Sequence, residues 1–235
     1  MTDFGTLHLS TEAPAAAQAV AWGDIPEMRA LTVASALMIL FLLPELYKMA
    51  APVAGCLIRA RGNIEVEHNL STARSRNFCA RMLLFPFILA ASRYSLYTPS
   101  FLPSASMPWA HLGQLAGVVL AYLVLRRICH ALIAGLRPTR LGSDENRAVT
   151  RGFLNYFIFF SFISLPTVCL MHAFSAADSA VRMILWAELA LSWVVSIIRE
   201  AQILHLSCSG LGTFLYLCGL EFLPAAALVA SGLVL

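Results

Sequence analysis

Residues 209–235, Ser-Gly-Leu-Gly-Thr-Phe-Leu-Tyr-Leu-Cys-Gly-Leu-Glu-Phe-Leu-Pro-Ala-Ala-Ala-Leu-Val-Ala-Ser-Gly-Leu-Val-Leu, decide what kind of molecule this is. They carry one charged side chain, Glu221. At 1.5 Å per residue the run is long enough to cross the roughly 30 Å hydrocarbon layer of a bilayer as a helix. Other stretches read the same way: 28–51, which contains Pro44 and Glu45; 78–97, interrupted by Arg81, Pro86 and Arg93; 109–132; 152–174, with Pro166 inside; and 180–198. Over the whole chain 59% of residues are hydrophobic and 12% are charged, about half the charge of a soluble domain. With a mean hydropathy of +0.75, that much apolar surface cannot be hidden in one core of 235 residues, and lipid is its natural solvent. A soluble globular protein is excluded. The expected fold is all-α, a polytopic transmembrane helix bundle of about six spans, with the bilayer as its partner. A short tail, 1–27, precedes the transmembrane domain, 28–235.

Arginine placement sets the expected orientation. Arg59, Arg61, Arg74 and Arg76 lie between the first and second spans; Arg137, Arg140, Arg147 and Arg151 lie between the third and fourth; Arg199 follows the fifth. The segments 97–109 and 174–180 and the tail before Met28 hold no basic residue. This alternation follows the positive-inside rule and predicts that both termini face away from the cytoplasm. The opening Met-Thr-Asp-Phe lacks a basic start, and Asp3, Glu12, Asp24 and Glu27 precede the first apolar run, so that run is expected to be retained rather than cleaved. The tail is alanine-rich and acidic, and the segment from Thr98 to Ser104 is punctuated by Pro99 and Pro103 and should be irregular.

Ionisable groups inside a bilayer are costly and mark functional or structural sites. Glu221 is the sharpest, about 18 Å into the last span and near the midplane. Pro224 follows, and deprives the carbonyl of Leu220 of its helical donor. A carboxyl group beside opened backbone suits a proton or a cation; an interhelical hydrogen bond or ion pair that locks the bundle would look the same. Glu188 lies mid-span in the fifth stretch, with Ser192 and Ser196 at i+4 and i+8 and Arg199 about a turn below. Such a polar stripe serves a proton path or a packed helix face equally well. Arg93 is expected near the non-cytoplasmic end of its span, where it could bend inward to pair with Glu221. Glu45 shares a level with Arg81 and Arg126, and a pair is expected there. Arg126 and Arg127 sit close enough to the interface to snorkel. Gly113, Gly117 and Ala121 form a row of small residues that reads as a close helix contact.

The remaining residues point away from standard chemistry. The six cysteines are scattered without a CxxC pair, and His205-x-x-Cys208 alone is too weak for a metal site. His111, His130 and His172 fall near span ends, as interfacial histidines do. There is no GxSxG, no HExxH and no glycine-rich phosphate loop, and no basic run interleaved with aromatics of the kind that binds nucleic acid. No metal and no cofactor is expected.

The segment Tyr216-Leu-Cys-Gly-Leu-Glu-Phe-Leu-Pro224 resembles the tyrosine-leucine-cysteine-x-leucine-glutamate-x-leucine-proline ending of a Bacteroidota membrane family, domain-of-unknown-function family 4271. The likeness extends more loosely through Arg151-Gly-Phe-Leu-Asn-Tyr156, Leu165-Pro166 and Ile198-Arg199, over about the last two-thirds of the chain. It implies a bacterial cytoplasmic (inner) membrane and marks Tyr216, Cys218, Glu221 and Pro224; it supplies no reaction. The expected function is a non-enzymatic component of the inner membrane, a scaffold or accessory subunit with membrane-protein partners. The alternatives are a small ion-coupled transporter using Glu221 and Glu188, and an intramembrane enzyme whose Arg81, Arg126 and Arg127 hold the phosphate of a lipid-linked substrate.

Overall fold

The computed structural model describes residues 25–59, 61–98, 108–136, 143–207 and 210–233. The expectations for the N-terminal tail up to residue 24, the segment 99–107, Arg137, Arg140 and Cys208 lie outside the described residues. The elements are α1 (Pro26–Ile58), α2 (Gly62–His68), α3 (Leu70–Arg93), α4 (Pro108–Leu136), α5 (Ser143–Ala173), α6 (Asp178–Ser207), α7 (Gly210–Leu217) and α8 (Leu223–Leu233). A single π-helical turn, Cys218–Phe222, joins α7 to α8. No strand occurs among the described residues.

Five of these helical runs are long and apolar enough to cross a membrane: α1, α4, α5, α6 and the continuous α7–α8 run. The molecule is therefore a helical membrane bundle. Helix α3, the second expected span, is the exception. Its 24 residues extend about 36 Å, but Arg74, Arg76, Asn77 and Arg81 crowd its first half and dilute its apolar character. It nonetheless packs along α1, α4 and α5. Helix α1 runs through Pro44 and Pro52, and α5 through Pro166. Membrane helices tolerate such prolines because neighbouring groups take up the freed carbonyls.

Helix α5 is the hub, packed against α6, α2, α3 and α1. Leu42, Leu46, Met49 and Val53 of α1 meet Cys79, Ala80 and Leu83 of α3 and Ile158 of α5 in one apolar cluster. Val149, Ile203, Leu204, Tyr216, Leu217 and Leu220 form a second, between α5, α6 and the last run. Ala91, Leu96, Leu115, Val181 and Leu185 close the opposite end. The outer faces are as apolar as the core: Phe41 is 75% exposed and Tyr47 84%. A helix that is apolar all round belongs in lipid.

Two features depart from the sequence reading. The row Gly113, Gly117 and Ala121 is not packed against another helix among the described residues: all three are exposed, and a Cβ built on either glycine would meet nothing within 4 Å. And the arginine-rich link after α1 is folded as the seven-residue helix α2, with Gly62, Asn63, Val66 and Glu67 buried. Asn69 separates α2 from α3 and caps the latter, its Oδ1 accepting from the Ser71 and Thr72 amides at 3.1 and 3.3 Å. Gly62 allows α2 to dock. A Cβ there would lie 2.6 Å from the Gly55 carbonyl oxygen and 2.8 Å from the Cys56 nitrogen, both backbone atoms of α1.

Gly62→Ala should consequently cost about 1–3 kcal/mol through overpacking, read as a lower unfolding temperature and poorer accumulation in the membrane. Gly113→Ala, which meets open space, should stay within about 0.5 kcal/mol of the parent.

Candidate functional site: a buried ionic clasp

Three charged side chains from three separate helices meet in the interior. Arg126 comes from α4, Glu200 from α6 and Glu221 from the π-helical turn, and they are 4%, 0% and 1% exposed. The Arg126 Nη2 lies 2.5 Å from Glu221 Oε1 and 3.4 Å from Glu200 Oε1. The shorter contact is a close charge contact rather than a well-directed hydrogen bond. The guanidinium also stacks on the Phe153 ring of α5, 4.2 Å from its centroid. Ser196, one turn before Glu200, donates its hydroxyl to Glu200 Oε1 at 3.2 Å. The second oxygen, Glu200 Oε2, is buried and finds no donor among the described residues. Counting along the helices, the three residues lie about 10 to 16 Å from the ends near Ser207, Gly210 and Leu136.

Local backbone chemistry places Glu221. In the π-helical turn the Leu223 amide donates to the Cys218 carbonyl, five residues back. Pro224 cannot donate at all, so the wider turn forms where the α-helical ladder would be broken in any case.

A second polar layer adjoins the clasp. Asn155 of α5 donates to Asn63 Oδ1 at 2.8 Å, and Asn63 donates to the Tyr156 hydroxyl at 2.8 Å. Ser192 of α6 donates to the Tyr156 carbonyl at 3.0 Å. Gly152 makes room for both layers: a Cβ there would sit 3.6 Å from Asn63 Nδ2 and 3.9 Å from Glu200 Oε1. One turn along α2 from Asn63, Glu67 and Arg76 form another buried pair at 2.5 Å, and Arg76 also donates to Asn77 at 2.9 and 3.2 Å.

The structure redistributes the expected partners. Arg93 does not reach Glu221; it pairs with Asp178 at 3.2 Å at the opposite end of the bundle. Distance along the helices forbids the inward bend, and Arg126 fills the role instead. Glu45 pairs with neither Arg81 nor Arg126. It binds Lys48 at 2.7 Å, one turn on, and accepts from Ser75 at 3.0 Å, while Arg81 faces outward. Arg126 does not snorkel, because two carboxyl groups hold it inside. Of the polar stripe on α6, Ser192 and Ser196 are engaged as above. Glu188 accepts from Thr167 at 2.9 Å, and its Oε2 is buried with no donor among the described residues. It lines a groove of about 390 Å³ with Ser192, Arg199 and apolar side chains including Phe159, Leu191 and Ile198.

Glu200 and the asparagine layer were not legible as a site. Glu200 falls just past the apolar run 180–198, yet it continues the stripe Glu188, Ser192, Ser196 by one further step of four, and that spacing was the available signal. No group of three or more His, Cys, Asp or Glu side chains suited to a metal occurs among the described residues. No family model, no curated protein and no solved structure matches the chain.

The two arginine pairings make opposite predictions. Arg126→Gln leaves two buried carboxyl groups without their cation and should cost about 3–5 kcal/mol, measured by unfolding in detergent. Arg93→Gln, at a solvent-accessible pair, should cost less than about 1 kcal/mol.

Proposed function

We propose that this chain is a non-enzymatic, multi-pass component of a bacterial inner membrane, a scaffold or accessory subunit held to other membrane proteins through its helices. The observation that carries the reading is where the polar groups go. Arg126, Glu200 and Glu221 bind one another, and Glu67 and Arg76 do the same, joining elements of this chain. The device for close helix approach, the row Gly113, Gly117 and Ala121, faces outward from α4 with nothing among the described residues against its glycines. Small residues in such a row let another helix's backbone come near, which is how membrane helices associate when lipid and side chains are equally apolar.

In this reading α3 is a sixth crossing, with Arg76 buried against Glu67 and with Arg74 and Arg81 exposed in its first half, and both termini lie outside the cytoplasm. Support comes from the grouping of residues by end. Arg93, Asp178, His111 and Tyr97 gather at one end, through the Arg93–Asp178 pair, a 3.1 Å contact of Ser92 with His111, and donation from Tyr97 to the Leu228 carbonyl at 3.1 Å. Arg59, Arg61, Arg147, Arg151 and Arg199 fall toward the other, where Arg199 donates to the Leu57 carbonyl. The likeness of residues 216–224 to the Bacteroidota family supports the bacterial inner membrane as the location.

Purification in mild detergent should recover a stoichiometric membrane partner, and Gly117→Leu should reduce its recovery by about tenfold, worth about 1.4 kcal/mol, without lowering the unfolding temperature. A parent chain that purifies alone and monodisperse would refute the assignment. For orientation, in a background without native cysteines, Ala177→Cys should react with an impermeant maleimide from outside the cell. Glu65→Cys should react only after permeabilisation.

A further inference from the structure

Arg126 supplies one positive charge, and Glu200 and Glu221 supply two carboxyl groups against it. Were both ionised, a net negative charge would lie buried in the bundle on groups no more than 4% exposed, which is costly. Both carboxyl groups close on the same nitrogen, Arg126 Nη2, at 2.5 Å from Glu221 Oε1 and 3.4 Å from Glu200 Oε1, which brings two acceptors side by side. Carboxylates are acceptors only, so a contact between two of them needs a proton between them. Glu200 Oε2 adds an independent sign: it is wholly buried and lacks any donor among the described residues.

We propose that Glu200 and Glu221 form a proton-binding site, holding one exchangeable proton between them against Arg126. The surroundings fit that occupant. Facing the pair are Arg126 and Tyr122 from α4, Tyr156 and the Phe153 ring from α5, Asn63 from α2 and Ser196 from α6. Arg199, the next residue along α6, is turned away to the Leu57 carbonyl and to Gln202. Arg126 is thus the one full cation in direct contact with the carboxyl groups among the described residues, and it cannot give up its own proton. A metal cation would need several oxygen ligands arranged around a cavity. Here the carboxyl oxygens close directly on a guanidinium.

With the proton in place the cluster is electrically neutral and clamps α4, α6 and the last run together. When it leaves, two like charges are pressed together and the clamp weakens. The site therefore couples proton occupancy to how tightly the last run is held, independently of whether the chain is a scaffold.

Infrared difference spectroscopy of the full chain in lipid, recorded as pH is raised from about 6 to about 10, reads the proton directly. The parent should show the carbonyl band of a protonated carboxylic acid that disappears on titration. The band should be missing from Glu200→Gln and from Glu221→Gln, and present in Glu188→Gln. Unfolding gives a second readout. The folded site holds a proton that the unfolded glutamates release above about pH 4.3, so stability falls as pH rises through the site's titration, by at most about tenfold in the folding constant per pH unit. Each Gln variant, a neutral mimic of the protonated group, should lose that slope. A parent without the band, or a band that survives both Gln variants, overturns the proposal. A shift in stability with sodium but not with pH overturns it also. If a variant fails to fold, the spectrum of the parent and of Glu188→Gln still decides.

Discussion

A guanidinium dissolved in hydrocarbon has to bring its counter-charges with it, and in this chain Arg126 does so by drawing together three helices far apart in sequence. The cost of stranding the buried guanidinium, or a carboxylate bound to it, is about 3–5 kcal/mol, more than most single contacts in a bundle. That penalty makes the contact selective. Helix α4 is held in its place because Arg126 meets the carboxyl groups that α6 and the π-helical turn present.

Selectivity of this kind matters more in a membrane than in water. Apolar side chains gain little by choosing a protein neighbour over a lipid tail, so the leucines of α1 pack inward, as Leu42 and Leu46 do, or point outward, as Leu37 and Leu40 do, with similar ease. Polar contacts then decide which helices sit together. The Asn63–Asn155–Tyr156 layer fixes α2 onto α5, the Glu67–Arg76 pair ties α2 to α3, and Gly152 brings the asparagine layer and the ionic cluster within one turn of α5. Helix α2, short and polar, is the piece most dependent on this arrangement, since it has almost no apolar face of its own.

Hydropathy and the length of the apolar runs disclosed the helical membrane bundle and most of its long helices, because both are read along one axis. They also singled out Glu221 as a carboxyl group too deep to be solvated. The partner was less legible. Height along a helix can be counted from the sequence, but the direction a side chain faces depends on how the helices are arranged around one another. Arg93 and Arg126 were both available, and only the assembled bundle separates them. Glu200 was lost for a different reason: the apolar run stops at Ile198, so the residue reads as solvated although α6 continues to Ser207. Helix α2 was missed because Gly-Asn-Ile-Glu-Val-Glu-His has the composition of a loop, and its burial is conferred entirely by neighbours.

The π-helical turn at Cys218–Phe222 is equivalent to one extra residue threaded into an otherwise continuous helix. Each residue of an α-helix turns the chain by about 100°, so removing that extra residue would swing everything beyond it by more than a quarter of a revolution. Thr213, Tyr216 and Leu217 would keep their seats while Leu228 and Ser231 left theirs beside Tyr97. The last run is thus two separately aimed rods on a single axis, and the irregular joint that aims them is also where the buried acid sits. Length variation within residues 218–222 is the change this molecule can least absorb.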